Sequence, residues 1–299
     1  MTAGKSSAPG TDAGRMTVRV AEGVELSVLP TGLDGPLTPV LLVHGLASNA
    51  RLWDGVAQHL AAAGHPVAAV DQRGHGLSSK PEHGYDFATL TSDLGFLVEQ
   101  LGWGGRPPMV AGQSWGGNVV LDLAANRPGV ARGITLVDGG TIELASRFAD
   151  WPTAEAALAP PPLIGTAYDA FERMVRAHHP DWPESGVAGA LANMEVMPDG
   201  TIRPWLSREN HMRILRRLLE HRPRHLYPKV EVPVLVLMAD DRANPRWMAG
   251  KREEVAAAEA GLARADVHWM EGDHDLHAQY PERVAGLIHD ATEGTSTPA

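Results

Sequence analysis

The stretch Gly112-Gln113-Ser114-Trp115-Gly116, with a further glycine at 117, places one serine between glycines two residues away on either side. An apolar run, Pro108-Met109-Val110-Ala111, precedes it, and a helical pattern over residues 118–126 follows. Between a strand and a helix, this spacing is that of a nucleophile elbow. The turn leaves no room for a Cβ at 112 or 116, and the serine is held in a strained conformation with its hydroxyl above the sheet. An alcohol is a poor nucleophile at neutral pH; it needs a neighbouring base, and the base needs a third group to fix its tautomer. Both are offered downstream. Asp240-Asp241 sits in the loop after the apolar run 234–238, and Asp273-His274-Asp275 follows the run 267–270. Ser, Asp, His is the chain order that suits this elbow, and the chemistry it serves is attack on an acyl carbonyl. Charge then builds on the carbonyl oxygen and must meet pre-aimed N–H groups. Trp115, the residue after the nucleophile, supplies one of them. Its indole either walls the pocket or packs the elbow.

The elements that hold these residues are visible as patterns. Apolar runs bounded by turn residues predict strands at 17–20, 25–29, 40–43, 66–70, 109–111, 134–137, 234–238 and 267–270. Helical periodicity lies between them at 50–63, 87–101, 118–126, 246–263 and 281–289. Such alternation predicts an α/β fold with a mostly parallel sheet covered by helices on both faces, the first two strands forming an antiparallel edge hairpin. The alternation breaks at residues 141–231, which show no strand run. They carry Pro160-Pro161-Pro162, helical patterns near 167–177 and 207–221, and Trp151, Trp182 and Trp205. This segment is expected to be a helical cap over the carboxyl ends of the strands, where open α/β sheets bind ligands. The expected organisation is a core of residues 16–140 and 232–292, with this cap between them and disordered tails at 1–15 and 293–299.

Composition narrows the function. The 299 residues are 43% hydrophobic and 21% charged, ordinary for a globular protein. A formal net charge of -10 opposes a nucleic-acid partner or docking on an anionic membrane. The chain has no cysteine, which excludes disulfides, a thiol nucleophile and thiolate metal sites. No run reaches the roughly 18 apolar residues of a membrane span, and residues 1–15 lack the apolar core of a signal peptide; cytoplasmic residence is the expectation.

Taken together, the stretches Val43-His44-Gly45-Leu46, Asp71-Gln72-Arg73-Gly74-His75-Gly76-Leu77-Ser78, the elbow, the loop ending at Pro245, and Gly272-Asp273-His274 with Tyr280-Pro281-Glu282 resemble an α/β-hydrolase of the cap-bearing esterase, lipase and epoxide-hydrolase-like branch. The resemblance covers about residues 24–288 and implies an eight-stranded, mostly parallel sheet. It implies Ser114 as nucleophile, Asp241 as acid and His274 as base, with the Leu46 N–H as the second oxyanion donor beside that of Trp115. Two residues depart from the family pattern: Met238 stands where glycine usually lies three residues before the acid, and Asp273 where glycine usually precedes the histidine. Asp240 therefore remains beside Asp241, which Pro245 favours by its spacing. Asp138, at the end of the run 134–137, is a further candidate, because some members of the superfamily place the acid there; the alternative is a hydrogen-bonding residue at a strand end. Epoxide hydrolases and haloalkane dehalogenases of this fold use aspartate at the elbow, whereas serine suits acyl chemistry.

The expected activity is that of a cofactor-free serine hydrolase acting on an ester, lactone or thioester with an apolar portion. Carbon–carbon bond hydrolases, perhydrolases and acyl-transferring biosynthetic enzymes share the same residues, and a ligand receptor on a hydrolase fold is the reading from another class. No cofactor or metal is expected. The Arg73–Ser78 stretch lacks the third glycine of a dinucleotide turn and is assigned a structural role. The cluster Asp273, His274, Asp275 and His277 has no fixed ligand geometry. The arginines at 208, 213, 216, 217, 222 and 224 are expected to be a solvated face, or else to attract an anionic substrate. Met194, Met197, Trp182 and Trp205 are expected to pack the cap or line an apolar pocket.

Overall fold

The computed structural model describes residues 14–241 and 245–294. The elements in chain order are β1 (Met16–Ala21), β2 (Val24–Thr31), β3 (Val40–Val43), α1 (Asp54–Ala62, entered through a 3-10 turn at Ala50–Trp53), β4 (Val67–Val70), α2 (Phe87–Gln100), β5 (Met109–Gln113), α3 (Trp115–Asn126) and β6 (Gly133–Val137). An inserted segment then contributes α4 (Trp151–Leu158), α5 (Tyr168–His178), α6 (Glu184–Leu191), β7 (Met194–Val196), β8 (Ile202–Pro204) and α7 (Arg208–Glu220). The chain closes with β9 (Val234–Asp240), α8 (Pro245–Gly261), β10 (Ala265–Glu271), α9 (Leu276–Gln279) and α10 (Pro281–Glu293). This is the α/β-hydrolase fold.

Each of the eight expected strand runs lies in one eight-stranded sheet ordered β1-β2-β4-β3-β5-β6-β9-β10. β2 runs against both its neighbours, and every other pairing in this sheet is parallel. β3 to β6 are buried at every position, which is why they read as unbroken apolar runs rather than alternating ones. The alternation shows in the packing instead. Leu41, Val43, Val110, Ile134 and Leu136 join one core with α2 and α3, while Val40, Leu42, Met109 and Ala111 join another with Val56 and Leu60 of α1 and Val284 and Ile288 of α10. Strand order reverses direction at β3, whose neighbours are β4 on one side and β5 on the other. The loops leaving β3 and β5 diverge there, and this is the crevice where open α/β sheets take ligands.

The segment between β6 and β9 contains an element that its sequence does not announce. Residues 194–196 and 202–204 form an antiparallel hairpin in a segment whose sequence shows no strand run. Three residues per strand are too few for a period-2 signal to emerge from sequence. The insertion has its own small core of Phe171, Val175, Trp182, Val187, Leu191 and Ile202, closed by Leu52 and Ala278 from the main domain, with Met194 at its margin. It docks through polar contacts as well. Asn49 Nδ2 donates to Gly189 O at 2.9 Å and to Asn193 Oδ1 at 2.5 Å. Asp273 Oδ2 accepts from Trp182 Nε1 at 2.8 Å and from His179 Nδ1 at 3.2 Å. On α7 the arginines 208, 213, 216 and 217 lie outside the buried stripe, which is formed by Ile214, Leu215 and Leu218.

At the amino end, Arg15 is not loose: its guanidinium donates to Ser27 Oγ at 2.6 Å and pairs with the buried Asp71 at 2.7 Å. The rest of the expected leading tail, residues 1–13, and residues 295–299 lie outside the described residues. Among the described residues, no helix is long and apolar enough to cross a membrane.

Candidate active site

Three residues other than glycine hold a positive φ among the described residues: Ala47 at 57°, Ser114 at 53° and Asp138 at 42°. They follow the carboxyl ends of β3, β5 and β6, adjacent parallel strands. A non-glycine residue in this region is held at a cost of about 1–3 kcal/mol, and such residues gather where function requires a fixed geometry.

Ser114 caps α3 with ψ at -124°. Its N–H continues the ladder to Val137 O at 2.9 Å, and its carbonyl accepts from Gly117 N at 2.9 Å. The flanking glycines are steric necessities: a Cβ on Gly112 would strike the Gly116 carbonyl, and one on Gly116 would strike His44 O. Gly139, in the turn after β6, presses on the same backbone, where a Cβ would sit 2.6 Å from Ser114 Cα. The serine, half-buried, is thereby fixed from both sides.

Asp138 continues the next ladder, its N–H donating to Leu237 O at 2.7 Å. Its side chain is 1% exposed. Oδ2 accepts the Nδ1–H of His274 at 2.6 Å, and Oδ1 accepts the Ala239 N–H at 3.0 Å. Lys251 Nζ lies 2.8 Å from Oδ1 and 2.9 Å from Oδ2. Burial pushes the carboxyl pKa up, but the hydrogen bond and charge of His274, with Lys251, outweigh it and hold it below its ordinary value. For His274, desolvation lowers the pKa, and the hydrogen bond and charge of Asp138 raise it further than that, so the net direction is upward. The loop bearing His274 is tied to the elbow by Gln113 Nε2, which donates to His274 O at 3.3 Å.

The carboxylate beside the histidine is not the one that the sequence favours. The sequence favours Asp241, but the carboxylate on His274 Nδ1 is that of Asp138. β6 lies directly beside β5, and β9 is one strand further out. The left-handed turn at Asp138 brings a carboxylate from the nearer strand to the imidazole, a local geometry that chain order does not report. Asp241 is half-buried just beyond β9; residues 242–244 of its loop lie outside the described residues. Asp240 pairs with Arg252 at 2.9 Å. The signal that favours Asp138 in the sequence is Asp138-Gly139-Gly140 directly after an apolar run, since glycine at 139 is what permits the elbow to pack there. Lys251, on a helix rich in alanine and glutamate, carries no comparable signal.

The expected oxyanion donors are Leu46, in the turn after β3, and Trp115, the first residue of α3. A Cβ on Gly45 would be 3.0 Å from Ser114 Cβ, so the His44-Gly45-Leu46 turn passes directly beside the serine. Neither the Leu46 N–H nor the Trp115 N–H donates to a protein acceptor among the described residues. The buried His44 locks that turn: its Nε2 accepts from Gln72 N at 3.0 Å, which leaves Nδ1–H to donate to Gly45 O at 2.7 Å. The indole of Trp115 is 1% exposed and packs in the core against His75.

The Arg73–Ser78 loop is held by side chains. Asp71 accepts from Ala50 N at 2.7 Å and Leu77 N at 3.0 Å, and Arg73 forms a buried two-pronged pair with Asp93 at 2.6 and 2.7 Å. Of the clustered residues at 273–277, Asp273 is engaged by the insertion, His274 by Asp138, and His277 is buried against Trp53.

Comparison with known proteins agrees with this fold. A family profile described as "Alpha/beta hydrolase family" matches residues 40–287. Lipase LipV of Mycobacterium tuberculosis is 32% identical over 154 residues, 52% of this chain and 56% of the lipase. The 2-(acetamidomethylene)succinate hydrolase of Mesorhizobium japonicum is 33% identical over 127 residues, 42% of this chain and 41% of that protein. The chain thus spans only about half the length of these curated relatives. Among solved structures, E-2-(acetamidomethylene)succinate hydrolase superposes with a TM-score of 0.71 at 23% identity, covering 93% of this chain and 98% of the other. A thioesterase domain from the curacin biosynthetic pathway gives 0.72 at 21%, covering 92% and 98%. On the profile match across most of its length, joined to the sheet order and the strained serine elbow, the chain belongs to the alpha/beta hydrolase family.

Proposed function

We propose that the protein is a cofactor-free serine hydrolase that cleaves an ester, lactone or thioester with an apolar portion through an acyl-enzyme. The observation that carries this reading is the 2.6 Å contact between His274 and Asp138, on a loop that Gln113 ties to the turn holding Ser114 at positive φ. Ser114 Oγ attacks the carbonyl carbon while His274 Nε2 takes its proton. Asp138, ionised and buried, holds the tautomer and offsets the charge of the imidazolium that forms. The N–H groups of Leu46 and Trp115 receive the oxyanion. His274 then protonates the leaving group, and water repeats the sequence on the acyl-enzyme.

The helical insertion is assigned the role of a cap. Support comes from its contacts with Asp273, next to the base, and with the turn that follows β3. The names of the relatives, a lipase and a succinate-derivative hydrolase, suit acyl chemistry without fixing the substrate.

A fluorophosphonate should label the parent protein at Ser114, and Ser114→Ala should abolish labelling. That variant should also lower kcat on p-nitrophenyl butyrate by about 10⁴-fold or more while remaining folded. Near-parental turnover by a folded Ser114→Ala protein would refute the nucleophile assignment.

A further inference from the structure

We propose that Lys251 is a positioning residue for the catalytic set: its ammonium clamps the Asp138 carboxylate and offsets its charge, so that His274 releases its proton at a lower pH than a lone Asp–His pair would allow. The proposal rests on the reading of His274 as base.

The geometry is complete on the lysine side. Nζ has three protons and three acceptors: Asp138 Oδ1 at 2.8 Å, Asp138 Oδ2 at 2.9 Å and Ala239 O at 3.1 Å. The lysine side chain is 8% exposed and the carboxylate 1%. Burying an ammonium is expensive, and an apolar side chain of similar volume is often as stable or more so. Packing alone therefore gives no reason for a lysine here, whereas the chemistry of its partner does. The contacts also fix the carboxylate in its plane. With Ala239 N–H and Lys251 on Oδ1, and Lys251 and His274 on Oδ2, the oxygen facing the imidazole cannot rotate away.

Charge completes the argument. A buried, uncompensated aspartate beside an imidazole is satisfied most easily when the imidazole is protonated, which would leave the base occupied at rest. With Lys251 the carboxylate is already paired, and the neutral imidazole required for attack costs less. The other groups facing His274 are Asp275 and Asp273 on its own loop, of which Asp273 also meets His179 of the insertion, and His277 on α9. The influence of Asp275 adds to that of Asp138, and Lys251 acts in the opposite sense.

The test is the pH dependence of kcat/KM on p-nitrophenyl butyrate, paired with the pH dependence of fluorophosphonate inactivation. In Lys251→Met the acid-limb midpoint should rise by about one pH unit in both profiles. Lys251→Arg, which keeps the charge, should leave the midpoint near the parental value even if the plateau falls. A folded Lys251→Met protein with an unmoved midpoint overturns the proposal. If Lys251→Met does not fold, Lys251→Gln, which keeps a donor without the charge, is read in the same way. Failure of both neutral variants to fold while Lys251→Arg folds would assign the lysine to structure alone and equally overturn it. A parent protein that shows no acid limb, or is not labelled at Ser114, would instead sink the base assignment on which the inference stands.

Discussion

At the residue scale, the decisive choice is between two aspartates. The sequence points to a serine, a histidine and a carboxylate, because a weak nucleophile demands the other two. For the carboxylate it favours Asp241, whereas the group that meets His274 Nδ1 is Asp138, at the end of the neighbouring strand. The choice has a measurable consequence. Asp138→Asn should reduce kcat by about 10³–10⁴-fold, because an amide at this position no longer holds the working tautomer or offsets the imidazolium. Asp241→Asn should be far milder. The opposite ranking in kcat, with both variants folded, would return the acid to Asp241. In the proposed mechanism the parent needs a neutral His274, whose pKa is raised from the ordinary 6.5. The acid limb of kcat/KM should therefore have its midpoint above that value, with activity lost as pH falls through it; a rate still flat at about pH 5 would exclude a histidine base.

At the scale of elements, the sheet is legible in the sequence because its strands are short apolar runs and its helices carry regular periodicity; both signals survive without neighbours. What escapes is set by contacts between elements. The β7–β8 hairpin is too short to show a pattern, and the docking of Asp273 onto Trp182 and His179 joins residues 91 and 94 positions apart. The meeting of the elbow with the β6 turn is of the same kind, and it can be probed. A side chain at Gly139 would collide with the Ser114 backbone, which cannot yield without leaving its strained conformation. Gly139→Val should slow fluorophosphonate labelling by at least about tenfold and cost about 1–3 kcal/mol of stability. Gly286, on the exposed side of α10, is the control, because a methyl group added there would meet nothing within 4 Å. Gly286→Ala should leave labelling unchanged and stabilise the protein by about 0.5–1 kcal/mol. Equal labelling rates for the two variants would show that the elbow does not depend on this contact.

At the scale of the whole molecule, the buried histidines decide how the fold responds to acid. His277 is fully buried, neither ring nitrogen has a protein partner among the described residues, and burial followed by the charges of His274 and His44 lowers its pKa to about 3. His211, buried on α7, is lowered to about 4 by burial and Arg208. Both are neutral in the folded protein and take a proton on unfolding at any pH below about 6.5. Their contribution to stability is thus complete above that pH and is lost as pH falls toward the folded values. Each such proton contributes a slope of about 1.4 kcal/mol per pH unit. His274 acts with the opposite sign: its raised pKa stabilises the fold at low pH, and that contribution is lost as pH rises through the folded value. The carboxyls of Glu254, Asp93 and Asp54, raised chiefly by burial, also oppose the histidines in mildly acidic solution. The net slope of the parent mixes all of these, so the informative quantity is a difference. Unfolding free energies of parent and His277→Leu, measured by denaturant titration between about pH 4.5 and 6, should diverge. The variant should lose stability on acidification less steeply, by about one proton or 1.4 kcal/mol per pH unit. Parallel curves would mean that His277 exchanges no proton on unfolding, and the acid sensitivity would then have to come from the remaining histidines.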